Sequence, residues 1–304
     1  LSGRTVSLSS DIASTGLDVT INSGGFLNMG TSQFTNTLLA LRGKGTLRLA
    51  SVNFPTVTTN TLVNAGEGTV EYNNAADFNI PLAQTTYNNL TINAPGVIAT
   101  QMNNLTLNGN LYVKSGTYRI NDNSAVRRQL TINGDVTVDN GASLTVGTGN
   151  TTDADFSGGT APYTDYYDRQ THRVVVYGKI TKNGTMRFTN QLCTVYNAFS
   201  TTGAATVYFR GATNNTLACN NTTDFYNLVL DKGVDQSYSL TVNSSAYNNL
   251  RLFGRNDLGG ENGGANPDLR KALWVRTGSL VLTGLTIIPS LSEGNSGGSP
   301  NGDF

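Results

Sequence analysis

Short alternations of apolar and polar residues recur along this chain at close, fairly even intervals, and that recurrence limits the folds open to it. Leu17-Asp18-Val19-Thr20-Ile21, Thr46-Leu47-Arg48-Leu49, Leu90-Thr91-Ile92 and Leu105-Thr106-Leu107 are early examples. Leu130-Thr131-Ile132, Val136-Thr137-Val138, Leu240-Thr241-Val242 and Leu250-Arg251-Leu252 continue the pattern. A period of two marks a strand with one buried face. Asn-Gly, Ser-Gly and Asn-Ala pairs bound these segments, which keeps each strand short. No stretch carries a 3.6-residue apolar stripe of useful length, so very little helix is expected.

Longer matches overlie this beat. Val19-Thr20-Ile21-Asn22-Ser23-Gly24-Gly25-Phe26-Leu27 aligns with Val136-Thr137-Val138-Asp139-Asn140-Gly141-Ala142-Ser143-Leu144, about 117 residues on. Gly45-Thr46-Leu47-Arg48-Leu49 aligns with Gly184-Thr185-Met186-Arg187-Phe188, about 139 residues on. Thr69-Val70-Glu71-Tyr72 and Tyr87-Asn88-Asn89-Leu90 find partners in Thr206-Val207-Tyr208-Phe209 and Phe225-Tyr226-Asn227-Leu228. Leu111-Tyr112-Val113 is echoed by Leu273-Trp274-Val275, so Trp274 reads as an aromatic at a repeat position. These matches suggest one domain over 1–304 with long copies at about 17–135, 136–252 and 269–304. Loop-like insertions then fall at 148–170 and 254–268.

Strands this short cannot bury their apolar residues alone. Coils of roughly 20–25 residues stacked ~4.8 Å apart would join them into continuous columns, the arrangement of a parallel β-solenoid. About a dozen coils would give a rod near 60 Å long. Asn suits the corners because it tolerates left-handed backbone and can hydrogen-bond along the stack. The competing arrangement is a series of β-sandwich modules. It would call for longer strands joined by regular two-residue hairpins.

Charged residues make up only 13% of the 304, and 20 basic side chains cancel 20 acidic ones. That balance argues against a basic nucleic-acid binder and an acidic tail protein. No run of ~18 apolar residues is present to cross a membrane as a helix. Cys193 and Cys219 are too few for a disulfide scaffold and do not form a CxxC pair. Their spacing is close to one coil, so they read either as two small buried core residues or as a disulfide joining neighbouring coils. With a single histidine, His172, a Cys/His zinc site is not expected, and no metal or cofactor is called for. The chain opens at Leu1 without a signal segment and closes on Ser299-Pro300-Asn301-Gly302-Asp303-Phe304, which reads as a piece of something longer.

Gly68-Thr69-Val70-Glu71-Tyr72-Asn73, Tyr87-Asn88-Asn89-Leu90-Thr91-Ile92 and Leu105-Thr106-Leu107-Asn108-Gly109-Asn110-Leu111-Tyr112-Val113-Lys114-Ser115-Gly116-Thr117 carry a resemblance. They resemble the Asn/Thr/Gly-rich β-helix stretches of large secreted and cell-surface, adhesin-like proteins of Bacteroidetes. The resemblance spans about Leu17 to Leu285. It implies an all-β, right-handed, single-stranded parallel β-helix of the pectin-lyase type, export from the cell, and a parent of adhesin or surface-filament type. It implies no particular activity.

The chemistry-bearing residues gather in the first insertion. Tyr163, Asp165, Tyr166, Tyr167, Asp168, Arg169 and His172 could bind a glycan, the tyrosines stacking on sugar rings and the polar groups bonding hydroxyls. The plainer reading has these tyrosines packing onto the coil and His172 opening the strand His172-Arg173-Val174-Val175-Val176. The strand-borne Arg48, Arg119, Arg187 and Arg251 sit singly among neutral residues and read as outward and solvated. No paired-carboxylate signature of the polygalacturonase kind is present, and the acids of 254–268 lack the spacing of a tuned calcium loop. Three functions follow as expectations. The first is a structural or adhesive rod of an extracellular surface protein, its loops touching glycans or surface proteins. The second is a β-helix polysaccharide lyase or glycosidase, and the third a glycan-binding module without catalysis.

Overall fold

The computed structural model describes residues 3–124, 126–148, 171–190, 203–252 and 273–286. Among these residues there is no helix, and the strands form sheets of sixteen, seven and three members. Strand partners lie one coil apart and run parallel throughout. The largest sheet begins Thr5–Ser7, Phe26–Gly30, Thr46–Leu49, Thr69–Tyr72 and ends at Ser279–Gly284, eleven strands deep along its main path. This pairing rules out hairpin-linked sandwich modules, because hairpins produce antiparallel neighbours. Ten intervals of ~4.8 Å give the stack a depth of about 48 Å.

Register turns the alternation into columns. Val6, Leu27, Leu47, Val70, Leu90, Leu111, Val136, Ile180, Leu217, Val242 and Leu282 follow one another directly through the largest sheet. Leu105, Leu130, Val174, Val207, Leu228 and Leu273 do the same in the seven-stranded sheet. Nearly all of these side chains belong to one buried apolar cluster. Their neighbours Thr106, Thr131 and Thr91, Thr137 occupy the opposite parity, which explains why this chain can use Thr where other proteins use charge.

Each coil visits its faces in turn. Leu105–Leu107 lies in the seven-stranded sheet, and Leu111–Arg119 follows in the largest one. The first half of Leu111–Arg119 pairs with Val136–Val138 and the second with Ser143–Thr145, so the strand serves two faces across a bend. Gly116 supplies that bend at φ 75°, and a Cβ there would stand 2.1 Å from the Ala94 carbonyl oxygen of the coil below. Gly96 makes the same bend in Asn89–Thr100, beside a register shift.

At other corners the side chains of Asn and Asp do the bonding. Asn89 Oδ1 accepts the Asn110 N–H at 2.9 Å, Asn110 Oδ1 accepts that of Asp135 at 2.7 Å, and Asp135 Oδ1 accepts that of Lys179 at 3.0 Å. Asn104 to Gln129, Asn121 to Gly147 and Asn214 to Ser239 repeat the device elsewhere. Each side-chain oxygen thus satisfies an N–H that leaves the sheet ladder at the turn. Gly109 and Gly134 precede this ladder because a Cβ would fall 2.4 and 2.3 Å from the oxygens of Asn89 and Asn110.

The structural period is the coil. Thr46–Leu49 lies on the main path while its match Thr185–Arg187 lies on the side path, and Thr69–Tyr72 and its match in Ala205–Arg210 occupy different sheets. The long matches therefore pair one strand-and-corner unit with another on a different face. The spans 148–170 and 254–268 fall largely outside the described residues, but the pairings that bracket them, Leu130 with Val174 and Leu228 with Leu273, return the chain to the same stack. A third excursion, between Val174 and Val207, was not legible as an insertion. Cys193 falls in it, outside the described residues, whereas Cys219 carries a free, buried thiol.

Two substitutions separate the corner constraints. Gly116→Ala adds left-handed strain to a backbone collision and is expected to cost roughly 2–5 kcal/mol. Gly66→Ala, at φ 78° with nothing within 4 Å of its Cβ, carries only the strain and should cost about 1–2 kcal/mol in the same denaturant titration. Asn110→Ala is expected to cost about 1 kcal/mol and to speed amide exchange selectively at Asp135, which a residue-resolved exchange experiment reads directly.

Candidate functional site

Of the residues singled out in the first insertion, Tyr163, Asp165, Tyr166, Tyr167, Asp168 and Arg169 lie outside the described residues. His172 is described, and it opens the strand His172–Val176 fully buried. Its Nδ1 accepts the Arg128 N–H at 3.0 Å, so the ring supports the adjoining coil. Next to it the outer face of the seven-stranded sheet carries a second apolar column, Val175, Tyr208 and Val229, with Trp274 packed at its end. The guanidinium groups of Arg173 and Arg210 lie 5.0 and 4.9 Å from the Tyr208 ring centre. Trp274 thus continues a column that begins with Val175, on a different face from Tyr112.

The strand arginines correct the expectation that they stand alone. Arg48 Nε meets Glu71 at 2.9 Å on the next coil, and Asn93 donates to the same carboxylate at 3.0 Å. Asp224, almost fully buried, lies between Arg187 at 3.3 Å and Arg251 at 2.6 and 2.8 Å, on the coils before and after it. Residues far apart in the chain become neighbours in one column, so spacing along the sequence hid these pairs. The two buried carboxylates serve as counterions, each held by arginine.

Among the charged side chains that the fold buries, Lys182 interrupts an inward column. Lys182 occupies the inward column between Val138 and Cys219, with Ser244 beyond, and its ammonium donates to the Thr222 carbonyl. Burial pushes the Lys182 ammonium down to about 8, opposed by the Cys219 thiol and Asp224 and reinforced by Arg251. The unfolded chain holds that proton to the ordinary lysine value, so the folded state binds fewer protons over the window between the two. The burden on stability is complete below about pH 8 and lifts as pH rises through that window. Lys182→Met should therefore be more stable than the parent at pH 7, with the advantage shrinking between pH 8 and 10. Urea titrations of both proteins at several pH values check this, and a pH-independent difference would be inconsistent with a strained lysine.

A cavity lies where two sheets fail to join. The three-stranded sheet ends at Val57–Asn60, and the seven-stranded sheet begins one coil later at Thr86–Tyr87. These two strands are not paired, although the same two coils stay bonded through Thr69 with Asn89 and Val70 with Leu90. A cavity of about 290 Å³ opens between them, lined by Phe54, Pro55, Thr56, Val57, Asn60, Pro81, Ala83 and Gln84. Pro55 and Pro81 explain the parting in part, since neither has an N–H to lend a ladder. Phe54 meets Tyr87 edge-on at 6.4 Å, and the Tyr87 hydroxyl shares a hydrogen bond of 3.1 Å with Tyr72. Asn60 Oδ1 is buried and has no hydrogen-bond partner. The available signal was the pair Pro55 and Pro81, which interrupt otherwise strand-like stretches at corresponding places in successive coils.

Among the described residues no helix is long and apolar enough to cross a membrane, and no group of three or more His, Cys, Asp or Glu side chains is placed to hold a metal ion. The chain matches no protein-family model, no curated protein and no solved structure.

Proposed function

We propose that this chain is a stiff segment of a right-handed parallel β-helix, acting as a structural or adhesive rod in an extracellular surface protein. The observation that carries the reading is the unbroken main path of eleven parallel strands, the coils bonded through the backbone and, at several corners, through Asn and Asp side chains. Such a stack resists bending because every coil shares apolar columns with both neighbours. A neutral surface of Thr and Asn supports service outside the cell, and the likeness to adhesin-type β-helix stretches points the same way. The rod holds a distal region away from its anchor, while the loop insertions, Tyr163 to Arg169 among them, touch glycans or other surface proteins.

Small-angle X-ray scattering tests the rod directly. The expected distance distribution has an early peak set by the coil cross-section and a long tail set by the stack. A symmetric, globular distribution would remove the reading. Steady release of reducing sugar from polysaccharides, abolished by a substitution in the insertion, would replace it with catalysis.

A further inference from the structure

We infer that Asn140-Gly141 is a site of spontaneous backbone modification, where the Asn140 carboxamide becomes a carboxylate through a cyclic imide. Four Asn-Gly pairs fall among the described residues: Asn108-Gly109, Asn133-Gly134, Asn140-Gly141 and Asn183-Gly184. A glycine after asparagine has no Cβ to obstruct attack by its own nitrogen on the side chain before it. That nitrogen must also be free, and here the fold treats the pairs differently. The Gly109 N–H donates to the Asn88 carbonyl at 2.9 Å, that of Gly134 to the Gly109 carbonyl at 2.9 Å, and that of Gly184 to the Val138 carbonyl at 3.1 Å. Each of these bonds joins two coils. The Gly141 N–H donates to no described residue. Of the four pairs, this is also the one with both residues exposed.

The local turn explains the freedom. The Ala142 N–H bonds to the Asp139 carbonyl at 3.0 Å, so Asn140 and Gly141 are the central residues of a β-turn. Gly141 stands at φ 81° and Asn140 at negative φ, the pattern of a type II turn. The peptide between them swings without breaking a strand pair. A Cβ on Gly141 would meet nothing within 4 Å, so the neighbouring coils leave room for the movement.

In the reaction the Gly141 nitrogen gives its proton to solvent and attacks Cγ of Asn140. The new N–C bond replaces the bond from Cγ to Nδ2, and Nδ2 leaves as ammonia after taking a proton from solvent. Water then opens the ring at Cγ to give aspartate, or at the main-chain carbonyl carbon to give isoaspartate, which lengthens the backbone by a methylene. Nothing is oxidised or reduced. Either product places a second negative charge beside Asp139, whose carboxylate already accepts the Tyr112 hydroxyl. The inference stands whether or not the chain serves as a rod.

Peptide mapping by tandem mass spectrometry, on folded chain aged at mildly alkaline pH, tests it. Asn140 is expected to convert at least about tenfold faster than Asn108, Asn133 or Asn183, whose glycines need a local opening of the stack first. Aspartyl and isoaspartyl products should both appear at position 140. In strong denaturant, once circular dichroism shows the sheet lost, all four should convert at similar rates. Asn140→Gln, whose longer side chain closes a ring far more slowly, should leave position 140 unmodified. The inference is overturned if another of the four leads in the folded chain, if Asn140 keeps its lead in denaturant, or if aspartate forms there without isoaspartate.

Discussion

The vertical contact between one coil and the next governs this molecule. Most strands here are only two to six residues long, and the chain forms no hairpin pair among its described strands. Parallel pairing at one-coil intervals instead gives each inward Leu, Val or Ile two like neighbours, above and below. Backbone bonds, apolar columns and corner carboxamides all run along the same axis. They reinforce one another because a single register satisfies all three.

That shared register also sets what polar groups can do inside. Tyr72 and Tyr87 bond to each other, Tyr118 donates to Gln101 at 2.9 Å, and Lys182 finds a backbone carbonyl. Each lies in a column that is otherwise apolar, and each finds its partner on another face or a neighbouring coil. On the outside, Arg48 with Glu71 and Asp224 with its two arginines are the charged counterpart of the same vertical neighbourhood. The carboxylates are buried while the arginines keep some contact with water, so removing an arginine strands a buried charge, and like charges in adjacent coils would disrupt the stack.

Much of this was legible before any coordinates. The alternation in Leu105-Thr106-Leu107 and Leu130-Thr131-Ile132 fixes which side chains turn inward, and the Asn-rich corners foretell the carboxamide ladder. What the linear order hides is which coil position meets which. Arg187 and Asp224 are register partners although a longer stretch of chain separates them than separates Arg48 from Glu71, so no fixed spacing reveals the pair. The similarity of Gly45-Thr46-Leu47-Arg48 to Gly184-Thr185-Met186-Arg187 arises because corners on different faces obey the same local rules. The cavity was hidden for another reason. It comes from a pairing that does not form, and only the two prolines hint at it.

The parted strands at Val57–Asn60 and Thr86–Tyr87 carry one last implication. In a structure that couples only adjacent units, cooperativity passes through each junction in proportion to the bonds that cross it. This junction is parted on one face, while Thr69–Tyr72 and Phe78–Asn79 still pair with the coil above on the others. Under a pulling force the load here passes through the two seams that remain bonded, and the parted face is free to widen first.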